Sequence, residues 1–305
     1  MISKVERILL SVRMSHSRWF PSMLCLFLLV TIAAAQEPGS SPGEVHYASL
    51  DGKRVYYKSY GKGREALVLV HCWSCNMDHW RDQIPDFAKR SRVIALDLPG
   101  HGQSDKPEVA YTMDLFARAV DAVLRDAGVE HAVLVGHSIG TPVIRQFYRK
   151  YPQKTLALVI VDGALRPFGD KQGADKMLAG LRAPNYKEAG AQMLAAIEGP
   201  QISPEIQQRI KESFLNTPQY VLVSAIEGMM DDSIWAQDKI NVPVLAVMAK
   251  SPYWPADTEQ FYHSIAPKLE FQMWDGVGHF LMMEKPARFN DVVIAFLDKN
   301  ALLKK

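Results

Sequence analysis

The stretch Ala132-Val133-Leu134-Val135-Gly136-His137-Ser138-Ile139-Gly140 decides how this chain is read. Four apolar residues run into a glycine, and a serine stands at the centre of G-x-S-x-G just before a helical-looking segment from Thr141 to Tyr151. That is the strand, sharp turn and helix of a nucleophile elbow, with Ser138 at its tip. The outer glycines suit such a turn because it crowds side chains against neighbouring backbone and demands unusual dihedrals. Five residues of this kind are common by chance, so the motif takes its weight from its surroundings.

The first of these is His279, in Asp275-Gly276-Val277-Gly278-His279-Phe280, between a strand-like Leu269 to Trp274 and a helix opening near Pro286. A serine hydroxyl is a poor nucleophile at neutral pH unless a neighbouring base takes its proton, and imidazole titrates in the working range. Most of the nine histidines read as surface or packing residues. The glycine-flanked loop position singles out His279 as the base.

The remaining pattern predicts an α/β fold. Val45 to Leu50 and Arg54 to Tyr60 alternate in character around Asp51-Gly52, which reads as a leading hairpin. Ala66 to Val70, Val93 to Leu98, Leu156 to Val161 and Val242 to Met248 are short continuous apolar runs, as in a parallel sheet covered on both faces. Helical spacing falls between them, over Asp78 to Lys89 and over Tyr111 to Ala127, the latter with Thr112 as cap and Gly128 as stop. From Ala164 to Gln237 strand signals vanish and Met- and Ala-rich helical segments are broken by Pro167, Pro184, Pro200, Pro204 and Pro218. The expected architecture is a mainly parallel central sheet with flanking helices, made of residues 45–163 and 238–305, with a helical cap over 164–237. Ligand sites in such sheets lie at the carboxyl ends of the strands, where Ser138, His279 and His71 all fall.

The amino terminus predicts export. Lys4, Arg7, Arg13 and Arg18 precede an apolar run from about Trp19 to Ile32 and then Ala33-Ala34-Ala35, which reads as a secretory signal over 1–35 followed by a Pro/Gly/Ser linker over 36–44. The apolar run is shorter than the roughly 20 residues of a bilayer span, and an uncleaved anchor is the alternative. Met14 would start a signal of more ordinary length than Met1, and Cys25 falls in the discarded part. The whole chain carries 35 Lys plus Arg against 33 Asp plus Glu; without residues 1–35 the counts become 31 and 32, nearly neutral. No basic run interleaved with aromatics occurs, so a nucleic-acid partner is not expected. Cys72 and Cys75, in His71-Cys72-Trp73-Ser74-Cys75, leave three states open: a redox pair, a local disulfide, or unbridged thiols. With no second pair, a four-ligand metal site is not expected.

The order of these features, together with Asp97-Leu98-Pro99-Gly100-His101-Gly102-Gln103-Ser104, resembles the α/β-hydrolase superfamily over essentially the whole mature chain. It is most similar to the esterase, haloperoxidase-like and epoxide-hydrolase-like branch, where D-x-P-G-x-G-x-S follows the fourth strand. The resemblance implies a serine nucleophile, a histidine base, an acid partner, an oxyanion hole of backbone N–H groups and a helical cap. Because Ser138 stands where epoxide hydrolases and haloalkane dehalogenases need a carboxylate, acyl transfer is the chemistry implied. The oxyanion donors would be the amides of Ile139 and Trp73; relatives have His-Gly where this chain has His71-Cys72, a modest departure because the donor is backbone. His71 and the Asp97 to Ser104 loop read as structural braces. The acid is the difficult assignment. Relatives carry it just after the strand that here ends at Met248, yet Ser251 and Pro252 occupy that place. Asp162, after the preceding strand, is the best substitute, Asp257 the runner-up, and Asp275 lies too near His279 in sequence.

The expectation is an exported hydrolase that cleaves an ester or lactone through an acyl-enzyme. Ser138, His279 and Asp162 are its catalytic residues, and Trp73 and Ile139 its oxyanion donors. No metal or organic cofactor is implied. If Met177, Met193, Met229, Met230 and Trp235 line the pocket rather than the core, the small-molecule substrate has an apolar portion. Three rivals remain: a carbon–carbon bond hydrolase, an aminopeptidase that would need acids such as Glu227, Asp231 or Asp232 in its pocket, and a non-catalytic binding protein.

Overall fold

A computed structural model describes residues 43–303 apart from 168, 170 and 201. The expected signal, and all of the linker but its last two residues, lie outside the described residues.

The leading hairpin is β1 (Glu44–Leu50) and β2 (Lys53–Tyr60). There follow β3 (Glu65–Val70), α1 (Ile84–Ala88), β4 (Arg92–Leu96), α2 (Met113–Asp126), β5 (His131–His137), α3 (Gly140–Lys150) and β6 (Thr155–Val161). Four helices come next: α4 (Lys171–Arg182), α5 (Tyr186–Ile197), α6 (Pro204–Leu215) and α7 (Gln219–Met229). The chain closes with β7 (Val244–Ala249), α8 (Thr258–Ile265), β8 (Leu269–Trp274), the short α9 (Leu281–Glu284) and α10 (Pro286–Lys299).

The eight strands form one sheet in the order β1-β2-β4-β3-β5-β6-β7-β8. Only the pairings that involve β2 are antiparallel; from β4 to β8 every pair is parallel. The apolar runs are buried on both faces because alternate residues of one strand enter different cores. Val68, Leu134, Leu158 and Ala246 pack with α2, α3 and α8, while Leu67, Val133, Val159 and Leu245 pack with α1 and α10. Each fully buried valine or leucine among them contributes about 1.5–3 kcal/mol relative to exposure, so the sheet is a rigid platform for whatever its edge carries.

The register sets that edge. Val70 pairs with Gly136, His137 with Val161, Val161 with Val247, and Ala249 with Trp274. The residues that follow β3, β5, β6 and β8 therefore emerge together at the carboxyl ends.

Helix signals held where capping chemistry was plain. Thr112 Oγ1 accepts the Leu115 N–H (3.1 Å) at the start of α2, and Gly128 ends it at φ +63°. Two expectations moved at prolines. The helix expected over Asp78 to Lys89 is a 3₁₀ turn, Met77–Trp80, followed by α1, because Pro85 lacks the N–H an uninterrupted helix would need. Strand β7 begins at Val244 rather than Val242, since Pro243 cannot donate to a ladder. In the 164–237 stretch, Ser203 Oγ accepts the Ile206 N–H (3.3 Å) with Pro204 in the first turn of α6, and Pro218 precedes α7.

Candidate active site

Ser138 sits at φ +56°, a left-handed conformation in which its Cβ is strained. Two glycines make that turn possible. A Cβ on Gly136 would strike the Gly140 carbonyl, and one on Gly140 would lie 2.7 Å from the Val70 carbonyl oxygen, at the end of β3. The elbow and the turn after β3 are thus pressed together, backbone on backbone. Gly136→Ala is expected to cost about 1–3 kcal/mol, read as a lower urea midpoint at unchanged slope.

His279 is brought to the same edge. Its Nδ1 lies 2.6 Å from Asp162 Oδ2. The other carboxylate oxygen, Oδ1, accepts the Ala249 N–H (2.8 Å) and the Trp254 indole N–H (3.1 Å), so Asp162 is oriented from two sides before it meets the imidazole. Its backbone is locked as well, at φ +40° with its own N–H on the Val247 carbonyl (2.9 Å). The Asp162 side chain is 5% exposed and that of His279 17%, which seals the acid and leaves the imidazole an open side. With Nδ1–H committed to the carboxylate, Nε2 is the nitrogen free to take a proton.

A second histidine, which the sequence did not single out, ties the loop down. His137 Nε2 donates to the His279 carbonyl (2.7 Å), linking the residue before Ser138 to the one proposed as base. Burial, and then the nearby His279, hold the His137 pKa well below the usual imidazole range, so it is a neutral strut.

Asp257, the alternative acid, is exposed and pairs with Arg166 (Nη1 to Oδ2, 3.1 Å) instead of approaching His279. Asp275 pairs with Lys250 (3.0 Å).

The turn after β3 carries Trp73. Neither its amide nor that of Ile139 donates to another group among the described residues, and the Val70–Gly136 pairing sets the turn that holds Trp73 beside the elbow that holds Ile139. His71 is wholly buried: its Nδ1 donates to the Cys72 carbonyl (2.8 Å) and its Nε2 accepts the Leu98 N–H (2.9 Å). It braces this turn against the loop after β4. That loop is organised in turn by Asp97, which accepts the Met77 and Gln103 amides (both 2.8 Å).

Cys72 and Cys75 are joined by a disulfide, closing the turn around Trp73 and Ser74, the latter at φ +58°. Such a short loop gives a modest entropic gain. Replacing both by alanine is expected to lower stability by about 2 kcal/mol in chemical denaturation.

The Met and Trp residues divide. Trp235 is buried in the main core and Met229 packs against it, whereas Met177, Met193 and Met230 are half-buried beside Trp73 around Leu178, Leu181 and Ile226. The Trp73 indole donates to the Leu222 carbonyl of α7 (3.0 Å), so the helical insertion rests on the turn that carries Trp73. Among the described residues no group of three or more His, Cys, Asp or Glu could hold a metal ion, and no helix is long and apolar enough to cross a membrane.

A doubly covered parallel sheet with a serine elbow, a histidine loop and a helical insertion defines a class of fold, and residues 65–286 match the family described as alpha/beta hydrolase fold. The chain belongs to the α/β-hydrolase family. It is 26% identical to an uncharacterised protein of Mycobacterium tuberculosis, over 85% of this chain and 82% of that one. It is 27% identical to a 2-hydroxy-6-oxononadienedioate/2-hydroxy-6-oxononatrienedioate hydrolase of Paraburkholderia phymatum, over 80% of this chain and 91% of that one. Among solved structures it is similar to Est816, described as an N-acyl homoserine lactone degrading enzyme, with a TM-score of 0.72 and 28% identity over 82% of this chain and all of the other.

Proposed function

We propose that this hydrolase-family protein is a serine hydrolase that opens a carboxylic ester or lactone through an acyl-enzyme. The observation that carries the reading is the His279–Asp162 hydrogen bond at 2.6 Å, with Asp162 held by two further donors at the sheet edge where Ser138 is presented. Ser138 Oγ attacks the carbonyl carbon, and His279 Nε2 takes the hydroxyl proton. Asp162 stabilises the resulting imidazolium, and the amides of Ile139 and Trp73 hold the oxyanion. The imidazolium then protonates the leaving alcohol, and water repeats the sequence to release the acid. The half-buried methionines beside Trp73 support an apolar acyl portion. Export is part of the same reading, and the Cys72–Cys75 disulfide supports an oxidising compartment.

A carbon–carbon bond hydrolase is the second reading, favoured by the Paraburkholderia relative. The aminopeptidase reading loses support because Glu227 pairs with Arg182 and Asp231 and Asp232 are exposed. The test offers the full chain p-nitrophenyl esters from acetate to decanoate, N-acyl homoserine lactones and a 2-hydroxy-6-oxo-dienoate. Turnover of esters or lactones with an optimum at medium acyl length is expected. Cleavage of the dienoate alone would move the assignment to carbon–carbon hydrolysis.

A further inference from the structure

The cap and the histidine loop meet through their backbones. The His279 N–H donates to the Ile197 carbonyl at the end of α5 (2.9 Å), so an element of the insertion directly fixes the residue proposed as base. One residue earlier, the Gly278 N–H donates to Glu284 Oε1 (3.0 Å) on α9. Gly199 closes the contact from the cap side. A Cβ on Gly278 would lie 2.5 Å from the Gly199 Cα, and a Cβ on Gly199 would lie 2.6 Å from Glu284 Oε1. No side chain fits between the two segments.

Among the described residues, the Gly278 N–H is the hydrogen-bond donor that the Glu284 carboxylate meets. Its Oε2 is buried with no hydrogen-bond partner among the described residues. Burial raises its pKa; the Gly278 N–H and Lys285 oppose the shift, while Glu198 and Asp162 add to it. A half-buried carboxylate with one unsatisfied oxygen is costly and calls for an explanation.

We propose that Glu284 is a positioning residue for His279: it pins the Gly278 amide while the Ile197 carbonyl of the cap pins the His279 amide, so that the histidine is held by cap and core together. This rests on His279 being the general base. The carboxylate touches no reacting atom; it fixes the backbone that carries the imidazole. Any shift of the α5–α6 connection is therefore transmitted to the base, and a displacement of about 1 Å at a reacting group can cost on the order of 10²-fold in rate.

The test compares the full-length wild type with Glu284→Ala, Glu284→Gln, Glu284→Asp and Gly199→Ala. The His279 imidazole signal is followed by NMR, assigned through its loss in His279→Gln, and kcat and KM are measured on p-nitrophenyl butyrate. Glutamine offers an oxygen in place of Oε1, whereas aspartate keeps the charge but withdraws it by one methylene. The Ala, Asp and Gly199→Ala variants should each shift or broaden the His279 signal. Their kcat should fall roughly 10- to 100-fold with KM within about threefold of wild type, and Glu284→Gln should restore both readouts. If Glu284→Ala does not fold, Asp against Gln decides. An unchanged His279 signal and kcat in the Asp and Gly199→Ala variants would overturn the proposal, as would a Gln variant no better than Asp. A wild type inert on every ester and lactone would count against the proposed function instead, and the NMR contrast would still decide the role of Glu284.

Discussion

Ser138→Ala is expected to lower kcat on the best ester by roughly 10³-fold or more, with KM nearly unchanged. The elbow keeps its geometry in this variant, because the strain at φ +56° belongs to the backbone and the glycine contacts do not involve the hydroxyl. What disappears is the hydroxyl proposed to form the acyl-enzyme. The remaining rate would come from the Ile139 and Trp73 amides polarising a bound carbonyl towards water. Parallel melts should agree within a few degrees, which separates lost chemistry from lost fold.

Asp162→Asn is expected to cost on the order of 10⁴-fold in kcat, and the reason is a tautomer. The Ala249 and Trp254 N–H groups both point at Oδ1, so the asparagine oxygen must stay there and its NH₂ must take the place of Oδ2, against His279 Nδ1. An amide NH₂ cannot accept a proton from Nδ1. The imidazole turns to the tautomer protonated at Nε2, and that nitrogen can no longer take the serine proton. Asp257→Asn, which loses only an exposed pair with Arg166, should remain within about twofold of wild type. Comparable losses in the two variants would reject Asp162 as the acid.

The fold was legible because its signals are local: apolar runs too short for helices, Thr112 and Gly128 bounding α2, prolines punctuating the insertion. Two of the boundaries that moved, at Pro85 and Pro243, fell where a proline reset an element, and the strand expected over Val93 to Leu98 ended at Leu96. At the site, the chain order Ser138, Asp162, His279 was readable, and the structure brings Asp162 and not Asp257 to His279. What stayed hidden was how the acid is held. The segment after β7 has no carboxylate where the resemblance led one to be expected, yet the Ala249 amide at the end of β7 and the Trp254 indole beyond it grip the carboxylate that follows the neighbouring strand. Such a relation depends on strand register across the sheet, to which one-dimensional spacing is blind. His137 and Glu284 were missed as well. His137 meets the His279 carbonyl only once the sheet is assembled, and the Glu284 contact, although it spans only six residues, depends on the fold of the loop between Gly278 and α9, which carries no spacing signal. The state of Cys72 and Cys75 likewise depended on the turn that brings their Cα atoms to 5.2 Å.

Whether Ser138 is the nucleophile is read by treating the full chain with an alkyl fluorophosphonate and mapping the adduct by peptide mass spectrometry. One phosphonyl group per chain is expected, on the peptide bearing Ser138, absent in Ser138→Ala and formed far more slowly in Asp162→Asn. Ester turnover with no adduct at Ser138, or an adduct on another residue that abolishes activity, would contradict that role.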